Sequence, residues 1–244
     1  MSVPAVALQP DTVRPPPRCG RSVAWHSAVP RLVNGSATLR EISVGDAPAL
    51  LEQLADPIAL RHVAPCPATI ADIRRFARWA RETRRRGRLI CFAVIPAGYR
   101  RPVGLMQLWP LDRDGTTAEW GVVIGRAFWS SGLFPAAASL LLQFAFDSLG
   151  VARLQARTAV GNERAGAAMQ KIGATAEGRL SGGVRTERAM ADVHRWWFLP
   201  SSTHTAASIA CSESTPPPVL RSDQLQGRHQ NRPIRKCDLS NVSI

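Results

Sequence analysis

The segment between residues 118 and 178 constrains the fold more than any other, because strand and helix patterns alternate along it with short turns between them. Residues 118–124 form an apolar run that is typical of a buried strand, and apolar side chains then recur at helical spacing over residues 133–148. A second strand pattern at residues 152–160 precedes a helix that Asn162 is placed to cap. This order predicts a sheet with helices packed against it.

The residues before and after this segment carry further strand and helix patterns. Apolar periodicity, cap residues and turn residues set their bounds. The predicted elements are a strand at 38–42, helices at 46–54 and 70–86, two strands at 89–95 and 103–109 joined by a turn at 96–99, and closing strands at 175–180 and 193–199. Together they predict an α/β (α+β) fold, with a mixed and largely antiparallel sheet of about seven strands and helices on both faces.

Composition divides the 244 residues into one domain and two tails. Residues 1–36 are rich in proline, arginine and serine without periodicity, and residues 201–244 hold few large apolar side chains. Neither segment can bury enough apolar surface to offset the entropy of ordering it, so we expect both to be disordered. The remaining segment, residues 37–200, has the size of a single globular domain.

The cysteines and the apolar segments exclude several classes of protein. The five cysteines are scattered, with no Cys-x-x-Cys pair or Cys/His cluster at metal-ligand spacing, so we expect neither a disulfide framework nor a metal site. The N-terminal residues lack the apolar core of a signal peptide, and the longest apolar stretch, residues 133–146, is shorter than the roughly 20 residues that span a bilayer. We therefore expect a soluble, cytoplasmic protein with no membrane contact.

The turn after residues 118–124 has the composition of a phosphate-binding turn. Trp129 is followed by Ser130, Ser131 and Gly132, and the helix starts directly after them. Backbone N–H groups at a helix N-terminus carry partial positive charge, so such a turn can cradle a phosphate. The alternative is that small residues only join a strand to a helix, and short patterns of this kind often arise by chance.

The residues that follow make the pattern more specific. The second helix and its flanks carry Gly161, Asn162, Lys171, Gly173, Glu177 and Gly178. Together with the turn at Trp129, this spacing resembles the GNAT family of N-acetyltransferases, in particular the ribosomal-protein N-terminal acetyltransferase branch, across roughly residues 37–200. The resemblance implies the acyl-CoA N-acyltransferase fold, acetyl-CoA as co-substrate, and direct attack by a primary amine. The implied acceptor is a small molecule or a protein N-terminus.

Carried over residue by residue, the resemblance also implies where acetyl-CoA binds. The pyrophosphate would lie on the turn of Trp129, Ser130, Ser131, Gly132 and Leu133, and the pantetheine would pair along Val122, Val123 and Ile124. Asn162 would contact the pantetheine, or it is a plain helix cap. Lys171 would contact a cofactor phosphate, or it is a solvated cation at a helix end.

Two residues are candidates for the base that takes the proton of the amine. Glu119, at the start of the central strand, would act through a water molecule, or it is an exposed carboxylate or the partner of an arginine. His62, in the loop after the first helix, is the second candidate, or it is a solvated histidine.

The chain departs from the family pattern at three positions. Ser130 replaces the first glycine of the turn, Ala136 stands where a glutamate is usual, and Met169 stands where many relatives carry a tyrosine acid. These departures leave open a member of the fold that binds acyl-CoA but has lost catalysis.

Positive charge suggests a further alternative. The chain has 31 lysine and arginine residues against 18 acidic residues, a formal net charge of +13, and eight of the arginines lie between residues 74 and 88. These arginines are a solvated helix face, or they form a basic surface that contacts the ribosome or RNA. A basic RNA- or ribosome-binding protein is therefore the second functional hypothesis. Against it, the chain shows neither an aromatic recognition strand nor a helix-turn-helix pattern.

Overall fold

The computed structural model describes residues 25–56, 58, 67–185 and 190–200. Short 3-10 turns precede the first helix and follow the fifth strand, and a π-helical turn, Phe144–Ser148, extends the third helix. The strands are β1 (Leu32–Val33), β2 (Ala37–Glu41), β3 (Ile90–Pro96), β4 (Gly104–Pro110), β5 (Thr117–Ile124), β6 (Arg153–Ala159), β7 (Thr175–Arg185) and β8 (Met190–Phe198). The helices are α1 (Ala47–Leu54), α2 (Ile70–Arg85), α3 (Leu133–Gln143) and α4 (Glu163–Lys171).

All eight strands form one sheet in the order β1-β2-β3-β4-β5-β6-β8-β7. Neighbouring strands are antiparallel except for β5 and β6, which run parallel. The predicted mixed, largely antiparallel sheet is therefore confirmed, and β1 is the strand that the sequence did not indicate.

The position of β1 corrects the expected N-terminal tail. Leu32 is buried and pairs with Leu39 of β2, and Trp25 and Val29 pack against the core. The folded part of the chain therefore begins before residue 37, at least as early as residue 25. Residues 1–24 and 201–244 lie outside the described residues, so their disorder stays a prediction.

Helices cover both faces of the sheet, as predicted. Alternating strand residues divide the core: Phe92 and Trp120 belong to the cluster that includes α3, whereas Cys91 and Val123 belong to the cluster that includes α1 and α2. This alternation follows from the two-residue period of a strand. Among the described residues no helix is both long and apolar enough to cross a bilayer.

Helix α2 begins at a capping box and carries the arginine run. Thr69 accepts a hydrogen bond from the backbone of Asp72, and the Asp72 carboxylate accepts one from the backbone of Thr69. Most of its arginines are exposed, but Arg84 is buried and donates to Oε1 of Glu41 at 2.6 Å and to the carbonyl of Trp25 at 2.9 Å. Arg84 thereby holds the N-terminal segment against α2 and β2.

The two parallel strands separate after three pairs. Thr117, Ala118 and Glu119 of β5 pair with residues 153–155 of β6, and no pairing between the strands is found beyond Glu119. Residues 120–124 of β5 stay paired with β4 on their other side. One edge of β5 is therefore left open to a ligand in the middle of the sheet.

Candidate active site

A cavity of about 460 Å³ lies where β5 and β6 separate. Its walls are the end of β5, the turn before α3, the first residues of α3 and one side of α4. Val122, Val123 and Ile124 are consecutive, so their side chains alternate between the two faces of the sheet. The cavity therefore follows the open edge of β5 rather than one face.

The structure brings most of the predicted cofactor residues together around this cavity. Ser131 and Leu133 are the two that do not line it, and both shape the turn. The lining residues among those predicted are Val122, Val123, Ile124, Trp129, Ser130, Gly132, Asn162 and Lys171.

The turn before α3 has the geometry of an anion-binding nest. Ser130 and Gly132 both have left-handed backbones, with φ angles of 60° and 83°. The Ser131 hydroxyl donates to the carbonyl of Phe128 at 2.7 Å and accepts from the backbone of Leu133 at 3.3 Å. The backbone N–H groups of Ser130, Ser131 and Gly132 donate to no other described residue. Three unpaired donors beside a helix N-terminus form a site for an anion.

Space at Gly132 supports the same interpretation. A Cβ added to this glycine would meet no other atom within 4 Å. The glycine is thus required by its positive φ rather than by crowding, and the volume in front of it is free for a ligand. Ser130 adopts the same left-handed region with a side chain, which costs roughly 1 kcal/mol.

Arg164 is a site residue that the sequence analysis missed. Its guanidinium carbon lies 2.9 Å from the centre of the Trp129 ring, and Nε1 of Trp129 donates to the carbonyl of Ile124 at 2.9 Å. Burial and the positive charge of Arg126 lower the pKa of Arg164. The signal was present, because Arg164 follows the helix cap by two residues, but in a chain with so many arginines it did not stand out.

Asn162 and Lys171 lie at opposite ends of α4. The side chain of Asn162 accepts from the backbone of Ala165 at 3.2 Å, so the cap interpretation is confirmed, and the same residue lines the cavity. Lys171 is exposed at the other end of the helix and also lines the cavity. Met169 lines it between them with its side chain fully buried. This methionine has no titratable proton, so it cannot serve as an acid.

Glu119 lies at the apex of the separation, in the last pair between β5 and β6. It is buried, with Nε of Arg157 donating to one carboxylate oxygen at 2.6 Å and Nε2 of Gln155 donating to the other at 2.8 Å. Burial raises the pKa of Glu119 above its usual value, although the charge of Arg157 acts to lower it. The expectation of an exposed carboxylate is wrong, the pairing with an arginine is confirmed, and proton transfer stays a prediction.

One further base candidate, His62, and one cysteine, Cys91, remain to be considered. His62 lies outside the described residues, so its role as a second base stays a prediction. Cys91 is buried in the core, and desolvation raises the pKa of its thiol, so it is unreactive as a nucleophile. In the described ranges, no three His, Cys, Asp or Glu side chains are grouped as a metal site.

These features fit one elongated ligand with charge at one end. The unpaired N–H groups of the turn and the cations Arg164 and Lys171 suit phosphates, and the open edge of β5 suits an extended amide-containing chain that can pair like a strand. Acetyl-CoA has both parts, with a pyrophosphate and a pantetheine arm. The residues present therefore fit the co-substrate.

Comparison with known proteins agrees with this fit. Residues 37–175, more than half of the chain, match the model of the family described as an acetyltransferase (GNAT) domain. The uncharacterized N-acetyltransferase p20 of Bacillus licheniformis is 23% identical over 163 residues, which cover 66% of this chain and 92% of that protein.

Solved structures show the same fold. RimL, a ribosomal L7/L12 α-N-protein acetyltransferase in complex with coenzyme A, is 15% identical with a TM-score of 0.63, and the match covers 70% of this chain and 98% of that one. Mycobacterium smegmatis RimJ, in complex with a CoA disulfide, is 20% identical with a TM-score of 0.62, covering 70% and 85%. The family match, the shared fold and the cavity geometry lead to one conclusion: the chain belongs to the GNAT acetyltransferase family and is an acetyl-CoA-dependent N-acetyltransferase.

Proposed function

We propose that this enzyme acetylates the free α-amino group of a protein, with ribosomal proteins as the class of acceptor. One structural neighbour, RimL, is described as a ribosomal L7/L12 α-N-protein acetyltransferase, which acts on the α-amino group of a ribosomal protein. The proposal places the enzyme in the cytoplasm, where acetyl-CoA and new ribosomal proteins are both found.

The observation that carries the proposal is the position of Glu119. It is the last residue of β5 that pairs with β6, three residues before the cavity lining begins at Val122, so the thioester end of an extended pantetheine that runs along residues 122–124 would point toward it. Beyond Glu119, the side chains of Arg157, Arg195 and Trp197 are only partly buried on the same face of the sheet. We propose that a polypeptide approaches over this partly open face and presents its first residue to the carboxylate.

The reaction joins the acceptor nitrogen to the acetyl carbon and breaks the bond from that carbon to sulfur. Acetyl-CoA supplies the activated acetyl group as a thioester. The turn of Ser130, Ser131 and Gly132 would bind the pyrophosphate, and Arg164 and Lys171 would neutralise further phosphate charge. Glu119, with its raised pKa, would accept the proton of the amine through a water molecule. Bringing the two reactants together accounts for much of the acceleration in such a transfer.

The basic surface of α2 belongs to the same proposal. Its outward arginines are exposed, and neither Arg74 and Arg78 of the helix nor Arg88, which follows it, forms an ion pair with any other described residue. We propose that they attract the acidic RNA of a ribosome. Charge reversal of these three arginines should weaken co-sedimentation with ribosomes without changing the affinity for acetyl-CoA.

The experiment that tests the proposal uses two synthetic peptides of one sequence, which differ only in whether the N-terminus is free or already blocked. Both contain a lysine, so that side-chain acetylation would be seen on either. Mass spectrometry should find one added acetyl group on the free peptide and none on the blocked one. Acetylation of both peptides would identify a lysine acetyltransferase instead and overturn the proposal.

A further inference from the structure

Gln107 is a buried amide whose nitrogen finds no partner in the part of the chain that the structure describes. It lies in the middle of β4 with only 4% of its surface exposed, and its Nε2 atom has no hydrogen-bond partner among the described residues. A buried donor that stays unpaired costs free energy, and native proteins pair nearly all such groups. An unpaired amide in the centre of a sheet therefore suggests a partner that arrives from outside the chain.

The strand register places this amide beside the proposed catalytic carboxylate. Gln107 pairs with Gly121 of β5, and Trp109, two residues further along β4, pairs with Glu119. Gln107 and Glu119 are therefore diagonal neighbours on one face of the sheet, with their Cβ atoms roughly 7 Å apart. Gly121, which pairs with Gln107, adds no side chain on this face, and the indole of Trp109 is the neighbour paired with Glu119.

The side chains that bond to Glu119 do not accept a hydrogen bond from Nε2 of Gln107. The amide of Gln155 and the guanidinium of Arg157 both point their donors at the Glu119 carboxylate. On the other side of Gln107, its pairing partner on β3 is Cys91, a buried thiol. The surroundings thus offer an acceptor for an amine at Glu119 and an N–H donor at Gln107, one diagonal position away on the neighbouring strand.

We propose that Gln107 is a positioning residue that donates a hydrogen bond to the carbonyl oxygen of the acceptor's first residue while the α-amine of that residue lies near Glu119. This inference rests on the proposed function and narrows its substrate class. An α-amino acyl group, with nitrogen and oxygen two carbons apart, can place its amine near Glu119 and its carbonyl oxygen at the Gln107 donor. A simple alkylamine can reach only the Glu119 carboxylate. Gln107 therefore selects peptide N-termini over amines that lack a neighbouring carbonyl.

The first test compares two acceptors with the unmodified enzyme. One is an amino-acid amide with a free α-amine, and the other is the matching primary amine in which a methylene replaces the carbonyl and a methyl group replaces the amide nitrogen, so that each compound has one amine. With concentrations counted as neutral amine, we expect kcat/KM to favour the carbonyl compound by tenfold or more, since a site built for a hydrogen bond rejects a ligand that leaves its donor unpaired. Equal values for the two acceptors would overturn the inference without affecting the proposed acetylation of amines.

The second test uses Gln107→Met, which keeps the length of the side chain and removes the donor. We expect KM for the carbonyl acceptor to rise about three- to tenfold, the effect of one lost hydrogen bond, with kcat and the affinity for acetyl-CoA nearly unchanged. KM for the methylene acceptor should stay the same. Because the removed amide is unpaired in the fold, the melting temperature should not fall.

The matched control is Cys91→Ala, which alters the residue paired with Gln107 on β3. It should lower the melting temperature by removing buried volume and leave the ratio of the two KM values unchanged. If Gln107→Met instead lowers the melting temperature and leaves that ratio at its parent value, Gln107 is structural and the inference is wrong. A parent enzyme that acetylates neither compound nor any free peptide would overturn the proposed function itself.

Discussion

Replacing Gly132 with aspartate tests whether the turn before α3 binds phosphate. An added Cβ meets nothing within 4 Å, so the new carboxylate would project into the space assigned to the pyrophosphate. Two unit charges about 4 Å apart interact by about 1 kcal/mol in water and about 4 kcal/mol near a protein surface. Repulsion of this size should raise the Kd for acetyl-CoA by roughly five- to a thousandfold.

Two variants separate charge from backbone strain. Gly132→Asn has almost the same shape without the charge, and it tolerates the positive φ of 83° about as well as aspartate does. Gly115→Asp adds the same carboxylate at another open glycine, with φ of 69°, in the turn at the opposite end of β5. All three variants should lose a comparable amount of stability, about 1 kcal/mol, because each forces a side chain into the left-handed region.

The assay is the rise in melting temperature on addition of acetyl-CoA. At a concentration one hundred times the Kd, the ligand stabilises the parent by about 2.7 kcal/mol, or about 5–10 °C for a domain of this size. A tenfold weaker site would show about half of that rise. We expect the rise to shrink strongly in Gly132→Asp, less in Gly132→Asn and not at all in Gly115→Asp. A full rise in Gly132→Asp would refute phosphate binding at this turn.

Three further predictions follow from single features. Glu119→Gln should slow acetyl transfer at neutral pH by about 100-fold or more without changing the Kd for acetyl-CoA. The rate of the variant should recover partly at high pH, where the amine loses its proton unaided. A rate equal to the parent's at every pH in steady-state kinetics would exclude Glu119 as the base. Thr69→Ala should cost about 1 kcal/mol in urea unfolding at pH 7. The Thr69 hydroxyl lowers the pKa of Asp72, so the stability that this carboxylate adds is present above its usual pKa near 4 and is lost in acid. The loss of unfolding free energy in Thr69→Ala should therefore be smaller at pH 3 than at pH 7. An equal loss at both pH values would contradict this coupling between Thr69 and Asp72. A chain that starts at residue 37 should melt well below one that starts at residue 25, because it loses Leu32 from the core and the carbonyl partner of Arg84; equal melting temperatures would show that this segment contributes nothing.

Local patterns were enough to predict the helices and most strands. The helical spacing from Leu133 onward and the cap at Asn162 are both present in the structure, since each depends on neighbours within one or two turns. Strand β1 escaped prediction because it has two residues, one of them the exposed Val33, within a proline- and arginine-rich segment. The residues before it are held by Arg84, which lies 59 positions beyond Trp25 along the chain, so no local pattern could indicate that they are folded.

In the candidate site, too, features set by neighbouring residues could be predicted, and features set by distant residues could not. The turn at Ser130 to Gly132 has a local signal, and the structure places it at the cavity. The separation of β5 from β6 has no local signal, because it is a property of how two strands pair. The burial of Glu119 is equally hidden, since Gln155 and Arg157 approach it from a strand that lies more than thirty residues further along the chain.

A crystal structure of the protein with coenzyme A would show directly whether the cavity beside β5 is the cofactor site. We expect the pyrophosphate to accept hydrogen bonds from the backbone N–H groups of Ser130, Ser131 and Gly132. We also expect the pantetheine to lie along residues 122–124 of β5, between β5 and β6, with its sulfur directed toward Glu119. Density for coenzyme A at any other position, with this cavity left to solvent, would show that the cofactor site has been assigned wrongly.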